Sequence, residues 1–259
     1  MTSLRYSLGL KKGGVISLVG AGGKTALMFC LARELAAGGD RVLTTTTTKI
    51  RLPTRRQSRL VMISDSVEHF LQRAGGVAKR IPHVTAARRV VHFQHKLKGF
   101  SPGAIDRIWH SGVFRWIIVE ADGAAGKPLK APAAHEPAIP DTTHWLIATV
   151  GLSAVGKPLN AQWVFRPYLV SALTGLALED QISTSAIAKM CLDHNGMLKN
   201  APEGAKRFIF LNQADLPGCL AAGRQIAQLL TTYARKSLKG VLIGRTLYEP
   251  IVDKYYIIN

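Results

Sequence analysis

Three observations in the sequence predict an α/β fold of three layers built on a mostly parallel sheet. Short apolar runs rich in β-branched residues recur at 15–19, 60–63, 115–119, 145–150, 207–211 and 241–244. Helical patterns separate several of them, and polar or glycine-rich segments follow their carboxyl ends, where ligands of such sheets bind. The 259 residues, 47% hydrophobic, suffice for a sizeable core. The chain reads as one domain, 1–259, with a basic insertion at about 51–114 and a mostly helical stretch at about 160–205.

The first strand and helix carry the clearest chemistry. Val15, Ile16, Leu18 and Val19 lead into Gly20-Ala21-Gly22-Gly23, and Lys24-Thr25 open a helical run. Glycines there allow backbone N–H groups to converge, and the helix N-terminus adds unpaired donors and a positive dipole end. This is a phosphate loop, which makes the expected fold P-loop NTPase-like. Lys24 is expected to reach the terminal phosphates of a nucleoside triphosphate, GTP or ATP, with the Thr25 hydroxyl on a magnesium ion. The usual spacing would place the first glycine at position 18, which is Leu18; the loop is two residues short and resembles the compact G-x-x-G-K-[ST] loop of the Mur-ligase type.

Downstream segments supply partners for that loop. The run 41–49 ends a strand in five threonines, of which Thr47 and Thr48 are candidates to face the metal and γ-phosphate, and Thr47 is assigned to the metal set. The strand 115–119 exits into Glu120-Ala121-Asp122-Gly123, where a carboxylate can hold magnesium directly or through water. Glu120-x-x-Gly123 also has the form of a switch, and the choice between Glu120 and Asp122 stays open. The proline-rich 126–140 is an ordered loop beside them; His135 and Glu136 are adjacent groups that could move a proton. Arg166, before Pro167, reads as exposed. The strand 207–211 exits into Asn212-Gln213-Ala214-Asp215, similar to the N-K-x-D base-reading element of GTPases, with Asn212 bracing loop and base and Asp215 accepting from guanine. Gln213 stands in the lysine position.

Composition limits the functional classes. The formal net charge is +18, and residues 49–115 hold 14 Lys/Arg against Asp65, Glu68 and Asp106. Such a field attracts nucleic acid, an acidic protein or a phosphorylated cofactor, and charge alone does not choose among them. The segment lacks interleaved aromatics, which argues against a dedicated RNA-binding role without excluding nucleic acid. Cys30, Cys191 and Cys219 are isolated, as expected of reduced thiols rather than a disulfide framework or zinc site. His92 and His95 lack further ligands at metal spacing. No apolar run approaches the roughly 20 residues of a membrane span, and 1–14 lacks a signal-peptide core, so the expected location is cytoplasmic.

GAGGKT, TTTTTKI, VEADGAAGKPLKAPAAHEP and LNQAD, in this order, resemble the YqeC family of selenium-dependent molybdenum hydroxylase accessory proteins over essentially the whole chain. The resemblance implies a maturation role, with a client molybdenum hydroxylase or its cofactor-loading proteins as partners. The E-x-x-G and N-x-x-D elements are also similar to those of metallochaperone GTPases that mature nickel and cobalamin enzymes. The chain departs from that wider group in its short loop and Gln213, and from the common YqeC pattern in Ala26, where a second threonine is more usual. The working expectation is a nucleotide-driven accessory factor in which Lys24, Glu120 and Asp122 serve hydrolysis. A Mur-like transferase or ligase acting on an anionic small molecule, and a non-hydrolysing nucleotide sensor, are the alternatives.

Overall fold

The structure, a computed structural model, describes residues 3–234 and 238–258. Met1 and Thr2 of the N-terminal run and Asn259 of the C-terminal tail lie outside the described residues. The first third of the chain forms α1 (Leu4–Ser7), β1 (Gly14–Gly20), α2 (Lys24–Ala37), β2 (Val42–Thr46), β3 (Lys49–Arg51), β4 (Val61–Ile63) and α3 (Val67–Ala78). There follow β5 (His83–Ala87), β6 (Arg89–Val91), β7 (Lys96–Lys98), α4 (Pro102–His110), β8 (Trp116–Glu120), β9 (Leu129–Lys130) and β10 (Thr143–Gly151). The remainder comprises β11 (Val164–Phe165), α5 (Pro167–Thr174), α6 (Thr184–Leu192), β12 (Lys206–Asn212), α7 (Cys219–Tyr233), β13 (Gly240–Gly244) and β14 (Val252–Ile257).

Nine strands form one sheet in the order β14-β13-β12-β10-β1-β8-β2-β5-β4. Every neighbouring pair is parallel except β13–β14. Because successive side chains of a strand point to opposite faces, β1 feeds both halves of the core: Val15 and Val19 join one apolar cluster with α3, α4 and α7, while Ile16 and Leu18 join a second with α1 and α2. Helices therefore cover both faces, and the fold is a three-layer α/β arrangement on a mostly parallel sheet. With β1 at the sheet's interior, its carboxyl end is flanked by those of β8 and β10.

Two expectations need correction. Residues 51–114 are not set apart as an insertion: β4 and β5 extend the central sheet, and α3 and α4 bury Phe70, Ile105 and Ile108 against it. The sequence shows β4 as the run 60–63 but gives no apolar run for β5, the strand that joins it to β2. The stretch 160–205 is less helical than its periodicity suggests, holding two helices of eight and nine residues joined by turns. The C-terminal tail carries a strand, β14, whose antiparallel pairing with β13 closes the far edge. A separate three-stranded sheet, β3-β7-β6, rises from the end of β2.

Candidate functional site

The phosphate loop joins β1 to α2 and its conformation demands glycine. Gly22 has φ +76°, and a Cβ there would lie 2.2 Å from the Gly151 amide nitrogen at the end of β10. Gly23 has φ +122°, and its Cβ would lie 2.1 Å from Asn212 Nδ2. The close approach of three strand ends, rather than the bend alone, excludes side chains here.

Protein groups take several of the loop's donors. Gly20 N–H donates to Asp122 Oδ2 (3.0 Å), Ala21 N–H to the Thr149 carbonyl (2.8 Å) and Gly22 N–H to the Lys127 carbonyl (3.1 Å). The sequence predicts that these amides face a ligand; here their acceptors are Asp122, Thr149 and Lys127, which hold the loop to β10 and the 127–130 segment. The first-turn N–H groups of α2 lack intrahelical acceptors, no side chain caps Gly23, and the first turn holds no acid. An anion at this helix end meets an uncapped positive terminus.

Charge concentrates behind the loop. Lys24, 4% exposed, donates to the Gly20 carbonyl at 2.5 Å and lies 3.1 Å from Asp122 Oδ1 and 3.9 Å from Glu120 Oε1. Burial lowers its pKa, but Asp122 and then Glu120 outweigh this, so the ammonium is held above its ordinary value. Thr25 donates its hydroxyl to Glu120 Oε2 at 2.6 Å. Burial raises the Glu120 pKa, against the opposing pull of Lys24 and Thr25. Both carboxylates stand at the end of β8, in register beside β1, because the two strands run parallel.

The two acids do different work. Asp122 is 1% exposed and gathers the Gly20 amide, Lys24 and Lys130 around its oxygens. It organises charge within the fold. Glu120 faces the Thr25 hydroxyl, and its own carbonyl accepts from Thr47 N–H (3.1 Å) and Thr46 Oγ1 (2.7 Å). The Thr47 hydroxyl is buried with no hydrogen-bond partner among the described residues, a costly arrangement for a polar group. The hard oxygens of Thr25, Thr47 and Glu120 are of a donor type that suits a magnesium ion; the hydroxyls of Thr45 and Thr149 are likewise buried without a partner among the described residues. Among the described residues no group of three or more His, Cys, Asp or Glu side chains could hold a metal. A cation here would therefore depend on few carboxylates and on hydroxyl and ligand oxygens besides.

Two residues carry more than the sequence indicated. Lys130, 1% exposed, donates to the Gly123 carbonyl (2.7 Å) and Glu136 Oε2 (2.8 Å) and lies 2.9 Å from Asp122 Oδ2. Arg166 is half-buried, not exposed: it sits at φ +65° before α5, stacks on Phe165 and pairs with Glu136. Glu136 is consequently pinned; although burial opposes it, hydrogen bonds from Arg166 and then Lys130 lower its pKa to about 2. It is a poor proton shuttle, and its neighbour His135 is exposed. The signal for Lys130 was its place in GKPLK beside the E-x-x-G element, but a lysine in a proline-rich loop reads as solvated.

On the other side of the loop, Asn212 is hydrogen-bonded to the loop itself. Its Nδ2 donates to the Gly22 carbonyl (2.7 Å) and its Oδ1 accepts from Thr246 N–H (3.1 Å). Thr246, after β13, is a residue the sequence reading did not single out. Gln213, at φ +70°, accepts from Ser153 Oγ at 2.8 Å and ties the exit of β12 to that of β10. Asp215 is exposed in the following turn.

Fold and site together define an α/β protein with a phosphate loop. The chain belongs to the YqeC family: residues 16–168 match the family described as YqeC protein. It is also 32% identical over 254 residues to the "Uncharacterized protein YqeC" of Escherichia coli (strain K12), covering 95% of this chain and 93% of that one. Among solved structures, FtsY from Mycoplasma mycoides aligns over 90% of this chain at 9% identity and chloroplast FtsY from Physcomitrella patens over 95% at 16%, each with a TM-score of 0.32. The chain spans about half the length of both structures, 52% and 54%. Among the described residues no helix is long and apolar enough to cross a membrane.

Proposed function

We propose that this protein is a nucleotide-binding accessory factor that hydrolyses a nucleoside triphosphate with magnesium while maturing a selenium-dependent molybdenum hydroxylase. The observation that carries the nucleotide reading is the juxtaposition of an uncapped α2 N-terminus, Lys24 and Thr25 with Glu120 and Asp122 at neighbouring parallel strand ends. The maturation role rests on membership of the family and on the resemblance of its sequence elements.

In this reading Lys24 and the first-turn amides of α2 bind the phosphates, while Thr25, Thr47 and Glu120 hold magnesium. The ion, when bound, neutralises charge on the phosphate oxygens. A triphosphate must draw the Lys24 ammonium away from Asp122 and Glu120. Asp122 then keeps Lys130 as its counter-ion, while Glu120 keeps the Thr25 hydroxyl. Lys130, through Glu136 and Arg166, connects that exchange to α5, a route by which nucleotide occupancy reaches a client.

Binding and phosphate release with ATP and GTP, with and without a candidate hydroxylase, test this reading. Lys24→Ala is expected to weaken nucleotide binding by about 100-fold, roughly 2.7 kcal/mol. Asp215→Asn is expected to weaken GTP about tenfold more than ATP if the N-x-x-D element reads the base. Unchanged affinity in Lys24→Ala, with circular dichroism showing a folded protein, defeats the nucleotide reading. Phosphate release that requires a small anionic substrate points instead to a transferase or ligase, and binding without release to a sensor.

A further inference from the structure

The second sheet has an outer face for which stability gives no reason. Its strands pair Lys49 with Lys98 and Lys98 with Arg89 in one row, and Arg51 with Lys96 and Lys96 with Val91 in the next. The alternate residues Ile50, Leu97 and Val90 turn inward onto the apolar cluster with α2, so five cations and one valine share the outward face. Like charges set directly opposite across an antiparallel pair are destabilising. Among the described residues none of the five joins an ion pair; Lys49 has only Gln94 Oε1, at 3.3 Å. The flanking segments continue the pattern, since 49–59 and 88–98 together hold nine Lys/Arg and no Asp or Glu. Protection of a sheet edge accounts for an occasional lysine, not for facing rows.

We propose that this face binds the phosphate backbone of single-stranded nucleic acid. The paired face measures roughly 10 Å by 7 Å from strand spacing and rise, far below the ~800 Å² per partner of a stable protein interface. Its paired rows hold no apolar centre and no aromatic side chain, and are rich in lysine, which such interfaces avoid. A phosphate chain needs neither, because released counter-ions supply the affinity. Although the segment as a whole lacks interleaved aromatics, Phe93, 85% exposed beside His92 at the turn between β6 and β7, offers one ring on which an unpaired base can stack. The position adds a functional point: β3 follows Thr46–Thr48 directly, and Gly99, just after β7, donates its N–H to the Thr48 carbonyl. The Lys49–Lys98–Arg89 row is therefore the end of the ribbon nearest Glu120 and the phosphate loop.

Fluorescence anisotropy of labelled oligouridine with the full chain, titrated between about 50 and 200 mM salt, tests the proposal without involving the nucleotide site. The parent is expected to bind with a steep salt dependence. The triple variant Arg51→Gln/Arg89→Gln/Lys96→Gln is expected to lose at least about tenfold in affinity and about two from the logarithmic salt slope. Its melting temperature should hold or rise, because repulsion is relieved. Phe93→Ala should weaken oligouridine about fivefold or more while leaving inorganic polyphosphate unaffected. No binding by the parent, or equal binding by the triple variant, overturns the proposal. So does displacement by poly-glutamate at matched charge, which would make the face a dock for an acidic protein.

Discussion

The loop side of the molecule and the β3–β7–β6 ribbon handle positive charge in opposite ways. Lys24 and Lys130 are buried, and every ammonium is met by carboxylates: Asp122 with both, Glu120 with the first and Glu136 with the second. The ribbon leaves five cations facing solvent and one another. Desolvation explains the first pattern, because a buried charge without its partner costs several kcal/mol. Water relieves the second, where repulsion costs only tenths of a kcal/mol and can be retained for binding. His83 shows a third solution. Its ring is hydrogen-bonded to Thr44 Oγ1 at 3.0 Å, no carboxylate contributes to its titration, and burial alone lowers its pKa to about 4, so it stays neutral.

The sharpest break in this comparison comes from Lys130→Met. Removing this shared cation leaves Asp122 with Lys24 alone and Glu136 with Arg166 alone, and a loss of about 3 kcal/mol is expected from urea unfolding. A change below about 1 kcal/mol would show that water already reaches those carboxylates, and the contrast between the regions would disappear.

His83 gives a smaller effect with a defined sign. The unfolded chain protonates this ring near 6.5, the folded protein only near 4, so between these values the unfolded state binds more protons. Its contribution is complete above about pH 6.5 and falls as the pH drops toward 4. His83→Gln should remove roughly 2 kcal/mol of the decline in stability over that window. An unchanged pH profile would mean that the ring is charged and solvated in the native state.

The smallest effect carries the opposite sign. Lys98 lies between Lys49 and Arg89, and Lys98→Gln is expected to stabilise the protein by about 0.5 kcal/mol at low salt. The gain should vanish near about 1 M salt, where screening is complete within a few ångströms. Destabilisation at low salt would reveal a partner for Lys98 and remove the ribbon from the uncompensated class.

Much of the site could be read in the chain because its chemistry is local. Gly20 to Thr25 encode a strand–loop–helix unit, and Asn212 was recognisable from its place after an apolar strand. Asp122 and Glu120 could be named as a pair but not told apart, since the difference lies in what comes from elsewhere: Lys130 to one, Thr25 and Thr47 to the other. Arg166 read as exposed because nothing near it in sequence reveals Glu136, thirty residues away. The ribbon was visible only as a surplus of charge. Its rows exist because antiparallel register sets Lys98 opposite both Lys49 and Arg89.

By itself the sequence determined the layered α/β class, the glycine-rich turn between β1 and α2 and the family, since periodicity, glycine spacing and residue order are properties of neighbours along the chain. Tertiary structure alone decided which carboxylate accompanies Thr25, that Lys130 is buried, that 51–114 is woven into the main sheet, and that the basic residues stand in facing rows. Those outcomes depend on strand order, register and desolvation, which bring together groups that local patterns cannot relate.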